Sequence, residues 1–114
     1  MLITINRPWG VMKLLESSTN YWVKIITVNP RQRLSLQSHN HRDELWFIVS
    51  GAGQVQIENE NYHAIFGQEF TIYKKEKHRI MNTSEYTNLK FIEIAFGVPN
   101  EDDIIRYEDD YNRT

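Results

Sequence analysis

Over most of this chain the side chains change character at every second residue, and a period of two leaves strands as the main structural option. Tyr21-Trp22-Val23-Lys24-Ile25-Ile26-Thr27-Val28 is rich in β-branched and aromatic residues, and Val55 and Ile57 alternate with Gln54, Gln56 and Glu58. The same reasoning predicts strands at residues 34–37, 44–50, 62–66, 69–73, 78–82 and 89–96. Turn chemistry separates them at Asn29-Pro30, Gly51-Ala52-Gly53, Asn59-Glu60-Asn61, Gly67-Gln68 and Asn82-Thr83-Ser84. Residues 45–49 are apolar on both faces, as expected of a strand between an interior and a covering layer. Only residues 101–110 are left for a helix or a short tail, so the expectation is an all-β sandwich or barrel.

No repeat, linker or low-complexity run divides the 114 residues, and residues 1–114 are expected to form a single domain. Thirteen Lys and Arg against fifteen Asp and Glu give a charge of −2, which argues against nucleic acid as a partner. The N-terminal residues lack the basic start and apolar run of a signal peptide, and no stretch approaches membrane-spanning length. The expectation is a cytoplasmic protein with no membrane partner. The absence of cysteine leaves only nitrogen and oxygen ligands for any metal.

One polar run stands out: Gln37-Ser38-His39-Asn40-His41-Arg42-Asp43-Glu44, followed by His78 and Asn82. On a strand Gln37, His39 and His41 share one face, with Ser38 and Asn40 on the other. Glu44 and His78 would arrive from neighbouring strands. A single inward His is usually a satisfied core residue. Burying this many polar groups together is costly unless they are paired or bind a cation, so the cluster predicts a metal site. Two ligand sets fit the spacing: Gln37, His39, Glu44 and His78, or His39, His41, Glu44 and His78. The first leaves four residues between His39 and Glu44, the second only two between His41 and Glu44. The longer connection has more room to turn a corner, which favours Gln37 and leaves His41 as an alternate ligand or a group facing substrate. Imidazole, carboxylate and amide donors suit one divalent ion of zinc, cobalt, manganese, nickel or iron.

Arg7-Pro8-Trp9-Gly10, Val23-Lys24, Leu34-Ser35-Leu36-Gln37, His39-x-His41-Arg42-x-Glu44, Trp46 and Ser50-Gly51 form one set of motifs. His78-Arg79-x-x-Asn82, Ile92-Glu93 and the tail from Glu101 to Tyr111 complete it. Together they resemble the type II phosphomannose isomerase cupin, found alone or as the C-terminal domain of bifunctional mannose-1-phosphate guanylyltransferases. The match covers nearly the whole chain. It implies an RmlC-like jelly-roll barrel, a homodimer formed through strand edges, and Gln37 and His39 as the first two ligands. The related type I zinc isomerases also use a Gln-x-His pair. Four positions depart from the family pattern: Leu45 replaces His, Tyr73 replaces Pro, and Arg31 and Asn112 replace Gly. None is a proposed ligand, but Leu45 would alter substrate preference if it faced the pocket. The nucleotide-transfer activity belongs to a domain absent from this sequence, so a stand-alone isomerase domain is expected.

The resemblance implies interconversion of mannose 6-phosphate and fructose 6-phosphate through an enediol. Such chemistry needs a base to move a proton between C1 and C2, a Lewis acid for the developing oxyanions, and cations for the phosphate. His41 is a candidate proton shuttle, and Glu93, a carboxylate in an apolar strand, is its rival. Lys24, also in an apolar strand, is a pocket candidate, and Arg42, Arg106, Arg79 and Arg33 are candidates for the phosphate. If His78 points inward, Arg79 points outward and is structural. Ser35 shares a face with Gln37 and is placed to touch the sugar. The family's tail would close the pocket with Arg106 turned inward and Asp109 or Tyr111 fixing the segment. Trp9, Trp22 and Trp46 are expected in the core or at a dimer contact. Two other readings compete: a sugar-binding or regulatory cupin without turnover, and a metal dioxygenase, since fold alone does not fix function.

Overall fold

The computed structural model describes residues 2–113, and every element among them is a strand. One sheet contains β1 (Ile3–Arg7), β2 (Gly10–Ser17), β3 (Tyr21–Val28), β5 (Arg42–Ser50), β8 (Glu69–Ile72) and β10 (Leu89–Gly97), in the order β1-β2-β3-β10-β5-β8. The other contains β4 (Leu36–Ser38), β6 (Ala52–Ile57), β7 (Glu60–Ile65), β9 (His78–Asn82) and β11 (Ile105–Glu108), in the order β11-β4-β9-β6-β7. All pairings are antiparallel. The inner faces meet in one apolar cluster, with Ile26, Val28, Trp46, Ile48 and Phe91 from the first sheet and Val55, Ala64 and Ile80 from the second. This is the all-β, two-sheet jelly-roll barrel of a cupin.

Alternation divides the interior into two ends. Along β3 burial switches at every residue, so that Trp22, Lys24, Ile26 and Val28 face inward. On β10, Leu89, Phe91, Glu93 and Ala95 do the same, and on β5, Arg42, Glu44, Trp46 and Ile48. The register sets Glu93 opposite Lys24 on one side and Trp46 on the other. Polar inward residues therefore gather at one end of the barrel and apolar ones at the other. Burying a side chain such as Ile48 or Phe91 contributes about 1.5–3 kcal/mol, and this dry end offsets the cost of the polar one.

Several expectations are corrected. The segment offered as a helix or short tail instead pairs as β11 with β4, Ile105 opposite Ser38 and Arg106 opposite Gln37. Strands β1 and β2 form an additional hairpin at the sheet edge, with Ile3 opposite Leu14. Leu45 lies on the outer face of β5, away from the interior, so it does not face the pocket. Two of the departures from the family's glycines fall where glycine conformation is used: Arg31 has φ 63° and Asn112 φ 57°.

Candidate metal centre

His39, just after β4, Glu44 on β5 and His78 on β9 bring their ligand atoms within 4.8 Å of one another. All three are buried. His39 Nδ1 donates to the Asp103 carbonyl at 2.8 Å and His78 Nδ1 to the Glu76 carbonyl at 2.9 Å. Both bonds fix the tautomer with its proton on Nδ1, leaving the Nε2 lone pairs aimed at Glu44. His39 Nε2 lies 3.4 Å from Glu44 Oε2 and His78 Nε2 3.8 Å from Oε1. Trp46 supports two of the three: its Nε1 donates to Glu44 Oε1 at 2.9 Å and its ring meets His78 edge-on.

A donor set built for a divalent cation leaves a ligand atom unsatisfied by the protein itself. His78 Nε2 is buried with no hydrogen-bond partner among the described residues, an expensive state for an imidazole lone pair unless a cation takes it. Burial lowers the His39 imidazole to about 4 against the opposing charge of Glu44, and burial lowers His78 as well. Neutral imidazoles are the form that binds metal. Burial alone would raise the Glu44 carboxyl, but its neighbours outweigh it, and with the imidazoles neutral it is the permanently charged, hydrogen-bonded Arg42 that holds it below the ordinary carboxylate range. An anionic carboxylate and two neutral imidazoles fit a divalent ion. Gln37 is buried in the same cavity wall, opposite His78 in the β4–β9 register.

The cluster opens into a cavity of about 440 Å³ whose wall includes Lys24, Ser35, Arg42, Trp46, Glu93 and Arg106. Glu93 Oε2 accepts the Trp22 indole N–H at 2.8 Å. Burial and the nearby Glu44 push its carboxyl up to about 7, against the pull of Lys24, Arg42 and the Trp22 bond. Lys24 Nζ stands 3.9 Å from the centre of the Trp22 ring and donates to Glu101. Glu101 belongs to the loop that follows Gly97, the last residue of β10. A Cβ at Gly97 would lie 2.8 Å from the His41 carbonyl, and its φ of 120° also requires glycine. Asp103 in this loop accepts the backbone N–H groups of Asn40 and His41, each at 2.9 Å.

The structure separates the remaining candidates. His41 is exposed and outside the cavity wall, because β4 ends at Ser38 and Asp103 turns the chain. It stands neither with the ligands nor facing a substrate. Arg42 lines the cavity with its guanidinium engaged: Nε donates to Glu44 at 2.8 Å and Nη2 to His39 Nε2 at 3.1 Å, a bond that a metal on that lone pair would replace. It also donates to the Asn100 carbonyl, so it is not an open phosphate group. Arg33 and Arg79 lie outside the cavity, held by Asp110 and Glu108 respectively. Asn82 is a clamp for the loop that follows it, donating to Val28 and Thr87 carbonyls and accepting from Ser84 N–H. Sequence reasoning missed the indole donors of Trp22 and Trp46, together with Arg7, Glu101 and Asp103. The two indoles were accessible to it, since Trp46 is two residues from Glu44 and Trp22 two from Lys24 on alternating strands.

Comparison with known proteins agrees with this architecture. Residues 1–109 match the family model described as mannose-6-phosphate isomerase C-terminal. The alginate biosynthesis protein AlgA of Pseudomonas aeruginosa is 40% identical over 111 residues, covering 96% of this chain and 23% of that protein. The mannose-1-phosphate guanylyltransferase RfbM of Salmonella typhimurium is 38% identical over 103 residues, covering 90% of this chain and 21% of that protein. The chain thus spans less than a quarter of the length of these relatives. Among solved structures, the capsular polysaccharide assembling protein CapF from Staphylococcus aureus superposes with a TM-score of 0.82 at 17% identity, over 95% of this chain and 33% of that one. That likeness bears on the fold alone. On its sequence match and its barrel, the chain belongs to the mannose-6-phosphate isomerase C-terminal family.

Proposed function

We propose that this chain is a metal-dependent sugar-phosphate isomerase that interconverts mannose 6-phosphate and fructose 6-phosphate through an enediol, acting in the cytoplasm in nucleotide-sugar and polysaccharide metabolism. The observation that carries the reading is one cavity walled both by His39 and Glu44 of a metal-competent cluster, whose third member His78 has an unsatisfied Nε2, and by a buried carboxylate, Glu93, poised near neutrality. His39, Glu44 and His78 hold the ion, with Gln37 as the fourth protein ligand. Once bound, the ion supplies Lewis acidity for the sugar oxygens at C1 and C2.

Glu93 carries the proton between C1 and C2. Its Oε2 is fixed by Trp22, which leaves Oε1 to face the substrate. A carboxyl near 7 can give the proton back as readily as it takes it, as a reversible isomerisation requires. Lys24, next to Glu93 in the register, keeps a positive charge in the same cavity for the anionic part of the substrate. Ser35 and Arg106 lie in the cavity wall within reach of sugar hydroxyls. The relatives named for alginate biosynthesis and mannose-1-phosphate guanylyltransfer support a role in mannose chemistry.

The test is to strip the purified protein of metal and follow mannose 6-phosphate conversion while zinc, cobalt, manganese, nickel and iron are added back separately. Turnover should return with at least one ion and be lost in His39→Ala and His78→Ala, while Glu93→Gln should lose at least about a hundredfold in kcat with metal affinity retained. Tight metal binding without turnover on any hexose phosphate would overturn the isomerase reading in favour of a binding module.

A further inference from the structure

The cavity mouth carries an anion that the protein itself supplies. Glu101 is about half exposed and sits on the loop after β10, yet its two carboxylate oxygens are divided between two cations of the cavity wall. Oε1 accepts from Lys24 Nζ, and Oε2 from Arg7 Nη2 at 3.3 Å. Lys24 is almost fully buried, held over the Trp22 ring, whereas the carboxylate it meets is half in water. Two positive charges therefore converge on one negative charge at the entrance.

Backbone bonds pin the loop on both sides of Glu101. The Asn100 carbonyl accepts from Arg42 at 2.9 Å and the Asp103 carbonyl from His39 at 2.8 Å. Rotation of the Glu101 side chain toward solvent therefore frees both cations without dismantling the loop that supports His39.

We propose that Arg7 and Lys24 form the phosphate subsite of this cavity, with Glu101 as a tethered occupant that a phosphate monoester displaces. This rests on the sugar-phosphate reading and specifies which part of the site takes the anion. A phosphate carries between one and two negative charges near neutral pH and three acceptor oxygens, so it satisfies both cations more fully than one carboxylate. A singly charged ligand such as a carboxylate gains nothing over Glu101. The arrangement thus selects phosphorylated sugars against sugar acids by competition, without a dedicated repulsive group. Arg7 approaches from the β1–β2 hairpin and Lys24 from β3, so the subsite lies on the six-stranded sheet, and the elements that build it differ from those carrying His39 and His78.

The experiment uses metal-free protein, so that phosphate cannot bind through the ion, and titrates inorganic phosphate and acetate by calorimetry at pH 8. Wild-type protein should bind phosphate and show no acetate binding. Glu101→Gln, which removes the tethered charge, should bind phosphate about tenfold tighter and begin to bind acetate. Lys24→Met and Arg7→Met should each weaken phosphate binding by at least about tenfold. If Lys24→Met does not fold, the Arg7 and Glu101 variants decide, since both groups are partly exposed. Unchanged or weaker phosphate binding in Glu101→Gln, or wild-type binding in Arg7→Met, overturns the proposal. Turnover with metal is measured separately: an active enzyme whose phosphate affinity ignores these residues refutes the subsite alone, and an inactive protein with the expected affinities refutes the isomerase alone.

Discussion

Glu93 is a carboxylate buried in the middle of a sheet, and the barrel sustains its charge poorly. Its folded pKa of about 7 lies above the ordinary 4.5. The stability it leaves intact below about pH 4.5 is therefore lost as pH rises through 7. His39 acts with opposite sign: lowered from 6.5 to about 4, it contributes stability that is present above pH 6.5 and lost as pH falls toward 4. Comparing wild type with Glu93→Gln removes the histidine contribution, which both proteins share. Urea unfolding of the metal-free proteins should coincide near pH 4, separate between about pH 4.5 and 7, and above pH 7 differ by a constant amount, with the variant more stable by about 3 kcal/mol. Parallel pH profiles would show that Glu93 titrates normally. The alternation of inward residues made His39, Glu44, His78 and Glu93 legible as a group in the sequence. It failed at His41, because the period of two holds only while the chain remains a strand and β4 ends at Ser38. The guanidinium of Arg42 was also illegible: which anion it meets depends on Glu44 and on a loop 58 residues away.

Strand β4 shows how a short element comes to depend on a distant one. It is three residues long and shares a single register pair, Gln37 with His78, with β9. The gap beside it is closed by Arg79 Nε donating to the Leu34 carbonyl, and its other edge by β11. Ser38 meets the Tyr107 hydroxyl at 2.8 Å. The corner after β4 is held by Asp103, whose side chain caps Asn40 and His41 while its carbonyl orients His39. Replacing Asp103 by Ala keeps the carbonyl and removes the cap. The variant should stay folded but bind zinc about tenfold more weakly in a chelator competition, and unchanged affinity would show that the corner holds without its carboxylate. The long central strands β3, β5 and β10 were predicted closely because each has its own repeated apolar face. The acidic tail was harder to read, since β11 contributes pairing to β4 and little apolar burial of its own. A segment held by a neighbour's hydrogen bonds and ion pairs leaves only a weak periodic signal.

The six-stranded sheet turns its second face away from the barrel, and that face is also apolar. Two rows cross its centre: Ile25, Ile92 and Phe47 in one, Val23, Ile94 and Leu45 in the other. All six side chains are half-buried, covered only in part within the single chain. The rows run out into exposed polar residues, Lys13 and then Thr4 at one end and Glu69 at the other for the first, Glu16 and Thr71 for the second. An apolar centre inside a polar rim is the anatomy of a protein interface. A two-fold axis parallel to the strands would lay the Lys13 end of a row in one copy over the Glu69 end in the other, pairing opposite charges by symmetry. The family resemblance led to a homodimer joined at strand edges, but β8 is a poor edge for it, four residues long and followed by Lys74 and Lys75. The prediction is therefore a homodimer through the sheet face. Sedimentation equilibrium should give about twice the 13.6 kDa chain mass, and Ile94→Glu, which places a charge in the middle of one row, should give the single-chain mass with the cavity and its metal affinity intact. A dimer that persists in Ile94→Glu would move the interface to an edge, and a wild-type monomer would leave the apolar rows to another partner.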